Sequence, residues 1–135
     1  MNAPKKVAVA VAVGLLSILA TVACNADKKL AAAQETAAIL RIKTIQQAET
    51  QYYAQFGKYA ASLSQLQDLI PADLASGKSN GYALSLTSRP NGFAVTAAPE
   101  PANPSSGRTF YSDETLAIRA ESGAKAADAT SPEIN

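Results

Sequence analysis

Histidine is absent from this chain, which removes the usual side chain titrating near neutrality and the commonest metal ligand. The single cysteine, Cys24, can make neither an internal disulfide nor a thiolate metal cluster. Tryptophan is also missing, and the 12 basic and 11 acidic residues leave a net charge of only +1, so no strong basic field invites nucleic acid. These absences leave most catalytic chemistries short of parts. The expectation is a non-enzymatic protein with no cofactor, no metal and no nucleic-acid partner.

What is present begins with a targeting segment. Lys5 and Lys6 precede an uncharged apolar run at residues 7–23 that ends at Cys24. The stretch LATVAC at residues 19–24 resembles a bacterial lipoprotein cleavage box, with a small residue before a cysteine that is lipidated. The competing reading is an uncleaved membrane helix, for which 17 residues is the short limit. In either case the chain is expected to be exported and tethered, with residues 1–23 as signal peptide or anchor. Cleavage before Cys24 would leave 112 residues and, with Lys5 and Lys6 gone, 10 basic and 11 acidic groups. A domain of that size can bury one core without disulfides.

The rest is organised by residues 28–56. Asp27 can cap a helix, the stretch is rich in Ala, Leu, Gln, Glu and Lys, and Gly57 can end it in the left-handed conformation. At 1.5 Å per residue such a helix is about 43 Å long, more than a small domain can cover. Ala38, Ile42, Ile45, Ala48, Tyr52 and Phe56 recur at spacings of three or four, so the C-terminal half is the packing half. Leu30, Ala33 and Ala37 lie on the projecting half and are a candidate docking surface for another helix.

Beyond Gly57, Ser62 and Gln65 suggest a capping box opening a two-turn helix with Leu63, Leu66, Leu69 and Ile70 on its apolar face; Pro71 ends it. Residues 72–80 read as a loop. Tyr82, Leu84 and Leu86 then alternate with small polar residues, the turn residues Pro90, Asn91 and Gly92 follow, and Phe93, Val95 and Ala97 return. Residues 99–107, with three prolines, read as an exposed loop. A strand carrying Phe110 and Tyr111, an acidic turn and a strand with Leu116 and Ile118 come next. Alternation leaves open which of the two aromatics points inward. Residues 123–135, nearly devoid of apolar side chains, read as a disordered tail.

The expected fold is α+β, with a long helix packed on an antiparallel sheet of three to four strands and one short extra helix, in a single domain over residues 24–122. Its core is expected from Ile42, Ile45, Tyr52, Phe56, Tyr82, Leu84, Leu86, Phe93, Val95, Phe110, Leu116 and Ile118.

Three motifs were weighed for chemistry. Ala72, then Gly77, Lys78 and Ser79, satisfies the loose spacing of a phosphate-binding loop, but no strand precedes it and no helix follows, so the amides cannot converge on phosphate. Asp113 and Glu114 could bind a hard cation or act as acid and base, yet adjacent turn residues usually point apart. Glu49 sits near the apolar stripe as an edge residue, with a salt bridge to the sheet as the alternative. The eight aromatics are assigned to packing.

Residues 30–45 (LAAAQETAAILRIKTI), 47–66 (QAETQYYAQFGKYAASLSQL), Gly81 with Tyr82, 93–99 (FAVTAAP) and 108–119 (RTFYSDETLAIR) together resemble the type IV pilin and pseudopilin family, in particular minor-pilin-like heads. The resemblance implies a ladle-shaped subunit of a type IV pilus or type II secretion apparatus. Other pilin or secretion-system subunits are its implied partners, the membrane is reached through the N-terminal segment, and the place is the bacterial cell envelope, on the periplasmic or extracellular face. The chain departs from the family's leader: no acidic residue lies in the apolar run, and Glu35 falls well past its end. Lipidation of Cys24 would exchange the polymerising helix for an acyl anchor. The alternative function is a membrane-anchored lipoprotein that uses this head to bind a ligand or adhere through residues 99–107 and the Asp113 turn.

Overall fold

The computed structural model describes the backbone of residues 3–101, 107–123 and 125–134, with side chains from Asn25 onward. Helix α1 spans Ala3–Phe56, 54 residues, or about 81 Å at 1.5 Å per residue. Asp27 therefore lies inside the helix and caps nothing, because the apolar run before it continues the helix. The C-terminal end does stop at Gly57, whose φ of 68° and N–H bond to the Tyr53 carbonyl (2.8 Å) close the last turn.

Six strands follow α1: β1 (Lys78–Ser79), β2 (Tyr82–Arg89), β3 (Gly92–Pro99), β4 (Arg108–Asp113), β5 (Ile118–Ser122) and β6 (Glu133–Ile134). They form one antiparallel meander in the order β1-β2-β3-β4-β5-β6. The expected three to four strands are thus too few. The two additions lie at the edges and hold two residues each, which is too short for an alternation of period two to register.

Before the sheet, Leu63–Leu66 forms a single 3-10 turn in place of the expected two-turn helix. The Ser62 side chain makes no cap bond; Gln65 Oε1 accepts from the Ala61 N–H at 2.8 Å instead. Residues 72–80, expected as a loop, contain the one-turn helix α2 (Ala72–Ala75) and β1. Gly77 between them has φ 83° and lies so close to the Leu84 carbonyl that a Cβ would fall 2.9 Å from it.

The residues after Gly123 are part of the fold. The Ala127 N–H donates to Thr109 Oγ1 (2.8 Å), Thr109 donates to the Lys125 carbonyl (2.8 Å), and Arg119 Nη1 donates to the Ser131 carbonyl (2.8 Å). Beyond these ties, β6 pairs with β5 through Ile118↔Ile134. Low apolar content misled the reading of this tail: it is held by backbone and hydroxyl hydrogen bonds, with Ala127 and Ser131 buried.

The core lies between α1 and the inner sheet face. Ala38, Ile42, Ile45 and Ala48 of α1 are buried with Tyr82, Leu84, Leu86, Phe93, Val95, Phe110 and Ile118, and Leu63, Leu66, Ile70 and Leu74 close one end. Two expected members are elsewhere. Phe56 is 58% exposed, because the sheet does not reach the last helical turn, and its ring rests on half-buried Tyr52 at 4.5 Å. Leu116 is 51% exposed; its φ of 65° turns the side chain out while its carbonyl accepts from Gln46. Phe110 points inward, and Tyr111 is buried on the opposite face.

These placements separate residues that sequence spacing treats alike. Phe110→Ala should cost about 3–5 kcal/mol, whereas Phe56→Ala and Leu116→Ala should each cost less than about 1 kcal/mol. Urea unfolding of the three variants checks this; equal losses at all three positions would contradict the assignment. Truncation after Gly123 should cost about 2 kcal/mol or more, through β6, Ala127 and the Thr109 and Arg119 bonds.

Candidate functional site

The sheet covers only part of α1, and among the described side chains residues 25–37 of the helix are left largely uncovered. Residues 25–30 are exposed on every side, and burial becomes continuous from Ala38. The boundary is marked by Glu35, whose Oε2 meets Arg108 Nη2 at 2.7 Å and Nε at 2.8 Å, while the guanidinium lies over the Phe110 ring. Beyond it, Leu30 is 52% exposed and Ala33 is exposed, while Ala37 is half-buried. With Gln34 and Asn80, these three line an open hollow of about 340 Å³. Spacings of three and four place Leu30, Ala33 and Ala37 on one face, and the two alanines permit close approach of another helix.

The remaining sequence candidates are internal parts of the head. Asp113 Oδ1 accepts from the Thr115 N–H and hydroxyl, and its Oδ2 accepts from the Tyr111 hydroxyl at 3.3 Å. Glu114 Oε2 accepts from Arg89 Nη2 at 2.8 Å and from the Phe93 N–H at 3.2 Å. A Cβ at Gly92 would meet that carboxylate and push it aside, so glycine leaves room for the Glu114 side chain as it is placed. Burial alone would raise both carboxyls. Donation from Thr115 and Tyr111 with the nearby charge of Arg89 outweighs it for Asp113, and donation from Arg89 does so for Glu114, so both are held below the ordinary carboxylate range. The pair is a clasp between turns, occupied by its own neighbours. No group of three metal-ligating side chains occurs among the described residues.

Gly77, Lys78 and Ser79 lie where α2 passes into β1. Ser79 is buried and accepts from Arg41 Nε at 3.1 Å, and a strand follows it, so no helix N-terminus is aimed at a phosphate. Of the loop at 99–107, residues 102–106 lie outside the described residues. The same holds for the Cys24 side chain; the backbone there is helical. Among the described residues no helix is long and apolar enough to cross a membrane, and the side chains of the apolar run at 7–23 are not among them.

One residue was undervalued by the sequence. Glu49, read as an edge position, is fully buried. Its Oε2 accepts from the Ala60 N–H at 2.8 Å, and Oε1 has no hydrogen-bond partner. Desolvation pushes its carboxyl from 4.5 to about 7, opposed only by the Ala60 bond. The signal was there: Ile42, Ile45, Glu49 and Tyr52 are spaced 3, 4 and 3, which places the carboxyl in the middle of the seam.

No family model matches this chain, and no curated protein or solved structure matches it significantly.

The carboxyls imply opposite pH dependences. The folded state keeps a proton on Glu49 between pH 4.5 and about 7 that the unfolded chain has released, so stability falls as pH rises through that window and levels off above it. Asp113 and Glu114 act the other way, their contribution being lost as pH falls below the ordinary carboxylate range. Urea unfolding should show wild-type stability falling on the order of 3 kcal/mol from pH 4.5 to 7, with Glu49→Gln flat across the same interval. An identical slope in both proteins would show that Glu49 is not its source.

Proposed function

We propose that the chain is a non-enzymatic, pilin-like subunit of a bacterial cell-envelope assembly, of the type IV pilus or type II secretion kind, presenting its head on the periplasmic or extracellular side. One observation carries this reading: a single unbroken helix of 54 residues is clasped by a six-stranded head over its C-terminal third and left largely uncovered over residues 25–37. Leu30, Ala33 and Ala37 form a strip of small and apolar side chains on one face of that segment, a surface against which another helix packs closely. The polar side chains Asp113, Glu114, Gln46 and Ser112 fit this role too, since each is consumed in internal ties of the head. Residues 1–24 tether the subunit, either as a retained helix or through an acyl chain on Cys24. The intact mass of the mature protein separates the two.

The docking face supplies the direct test. A photo-crosslinking residue in place of Ala33 should join the subunit to a helical partner in the envelope. Leu30→Glu together with Ala37→Glu should remove that crosslink while shifting head stability by less than about 1 kcal/mol, since these positions lie outside the core. Undiminished crosslinking in the double variant would rule out this face as the docking surface.

A further inference from the structure

The end of the head away from the projecting helix carries a second feature, independent of the docking face. Where α1 stops and the chain turns back, Tyr53, Lys58 and Tyr59 stand across a cavity of about 250 Å³ from Ser88, Arg89 and Asn91 of the β2–β3 turn. The Tyr53 and Tyr59 rings lie 4.7 Å apart and tilted by 34°, and Tyr59 is backed by Phe93 at 5.1 Å, so this aromatic wall is fixed to the core. Tyr53 is nevertheless 47% exposed.

The polar groups of this cavity differ from the tied polar groups of the head interior. The Tyr53 and Tyr59 hydroxyls, the Lys58 ammonium, the Ser88 hydroxyl and the Asn91 amide make no side-chain hydrogen bond, whereas Gln46, Thr109, Ser112 and Asp113 are each tied to a neighbour. Arg89 spends Nη2 on Glu114 and Asp113, which fixes the guanidinium and leaves Nε and Nη1 unused. Both charged residues of the lining are cations. Lys58 has its own reason to be there, just past a helix C-terminus, but that position does not consume its three donors.

An aromatic wall surrounded by unused hydroxyl, amide and cationic donors matches a polyhydroxylated ring that stacks by one face and carries an anionic group. The volume lies just under the range of pockets that enclose a drug-sized molecule, which suits one ring and excludes a long ligand. We propose that this cavity is a saccharide subsite taking one pyranose ring that bears a carboxylate, with Tyr53, itself stacked on Tyr59, as the stacking ring and Lys58 with Arg89 as the carboxylate clamp. The subsite goes beyond the assembly role, and the failure of one would leave the other standing.

The test is a titration of the full chain in detergent micelles, followed by backbone amide NMR, with trigalacturonate as probe and neutral galactotriose and hexaglutamate as controls. Trigalacturonate should shift residues 57–59 and 88–92. Galactotriose should bind at least about tenfold more weakly, the worth of one charge-assisted hydrogen bond. Lys58→Gln and Tyr53→Ala, both at exposed positions, should each weaken trigalacturonate by about tenfold without moving the core resonances. Equal affinity for galactotriose, tighter binding of hexaglutamate at the same residues, shifts confined to other regions, or no shifts at all would each overturn the proposal.

Discussion

The seam in which Ile42 and Ile45 of α1 close against β3 and β4 is the contact on which the rest of the molecule depends. Both side chains are fully buried, each contributing about 1.5–3 kcal/mol in water exclusion. Tyr82, Phe93, Val95 and Phe110 would otherwise be the bare face of a six-stranded meander, and no other described element is long enough to cover them. The same contact fixes the helix relative to the sheet. Only because the lower turns are held can the upper turns be left uncovered and still point in one direction.

Apolar burial does not choose a register along a helix whose stripe repeats every three or four residues; the polar ties do. Arg41 reaches Asp73 and Ser79, and Gln46 Nε2 donates to Ser112 Oγ (2.6 Å) and to the Leu116 carbonyl (3.1 Å), with Ser112 passing its own proton to the Ala117 carbonyl. Glu49 holds the Ala60 amide. A slide of α1 by one turn would keep much of the apolar area but take Gln46 from both its partners, at a cost of about 1–3 kcal/mol, while Ser112 would keep only its bond to Ala117. Glu49 is the dissenting member. It fixes the connector after Gly57 and is itself destabilising once ionised, so the network gains register at some expense of stability near neutral pH.

The elements that could be read from the sequence are those with a sustained period. The lower half of α1 and strands β2 and β3 have five or more residues of clean alternation or helical spacing, and the left-handed positions Gly57 and Asn91 occur where turns require them. Elements held by hydrogen bonds between residues far apart in the chain left no local trace: β1, β6, and the return of Ala127 onto Thr109. Phe56 and Leu116 show the converse failure. Each carries the right spacing, but one lies past the end of the sheet and the other in a left-handed turn, and spacing alone carries no information about either. Of the candidate site, the docking face is legible because exposed alanines and leucines at helical spacing lie outside the packed stripe, while the turn-end cavity joins residues 53–59 to 88–91 and could not be seen without the fold.

The clasp at Glu35 explains why the bare part of α1 begins where it does. Past Ala38 toward the N-terminus the helix has no apolar partner in the head, and isolated helical turns fray unless something restrains them. Arg108 supplies that restraint from the first residue of β4: both its Nε and Nη2 meet one carboxylate oxygen of Glu35, its guanidinium lies over Phe110, and its carbonyl accepts from the Tyr82 hydroxyl at 2.9 Å. The side chains are only partly exposed, so the pair is screened less than a free surface bridge and worth about 1 kcal/mol. That energy is small beside the core seam, but it acts at the exit point, where a modest restraint controls the angle of everything beyond it. The last polar tie of the head thus sits at the point where the helix leaves it, just where the proposed docking face begins.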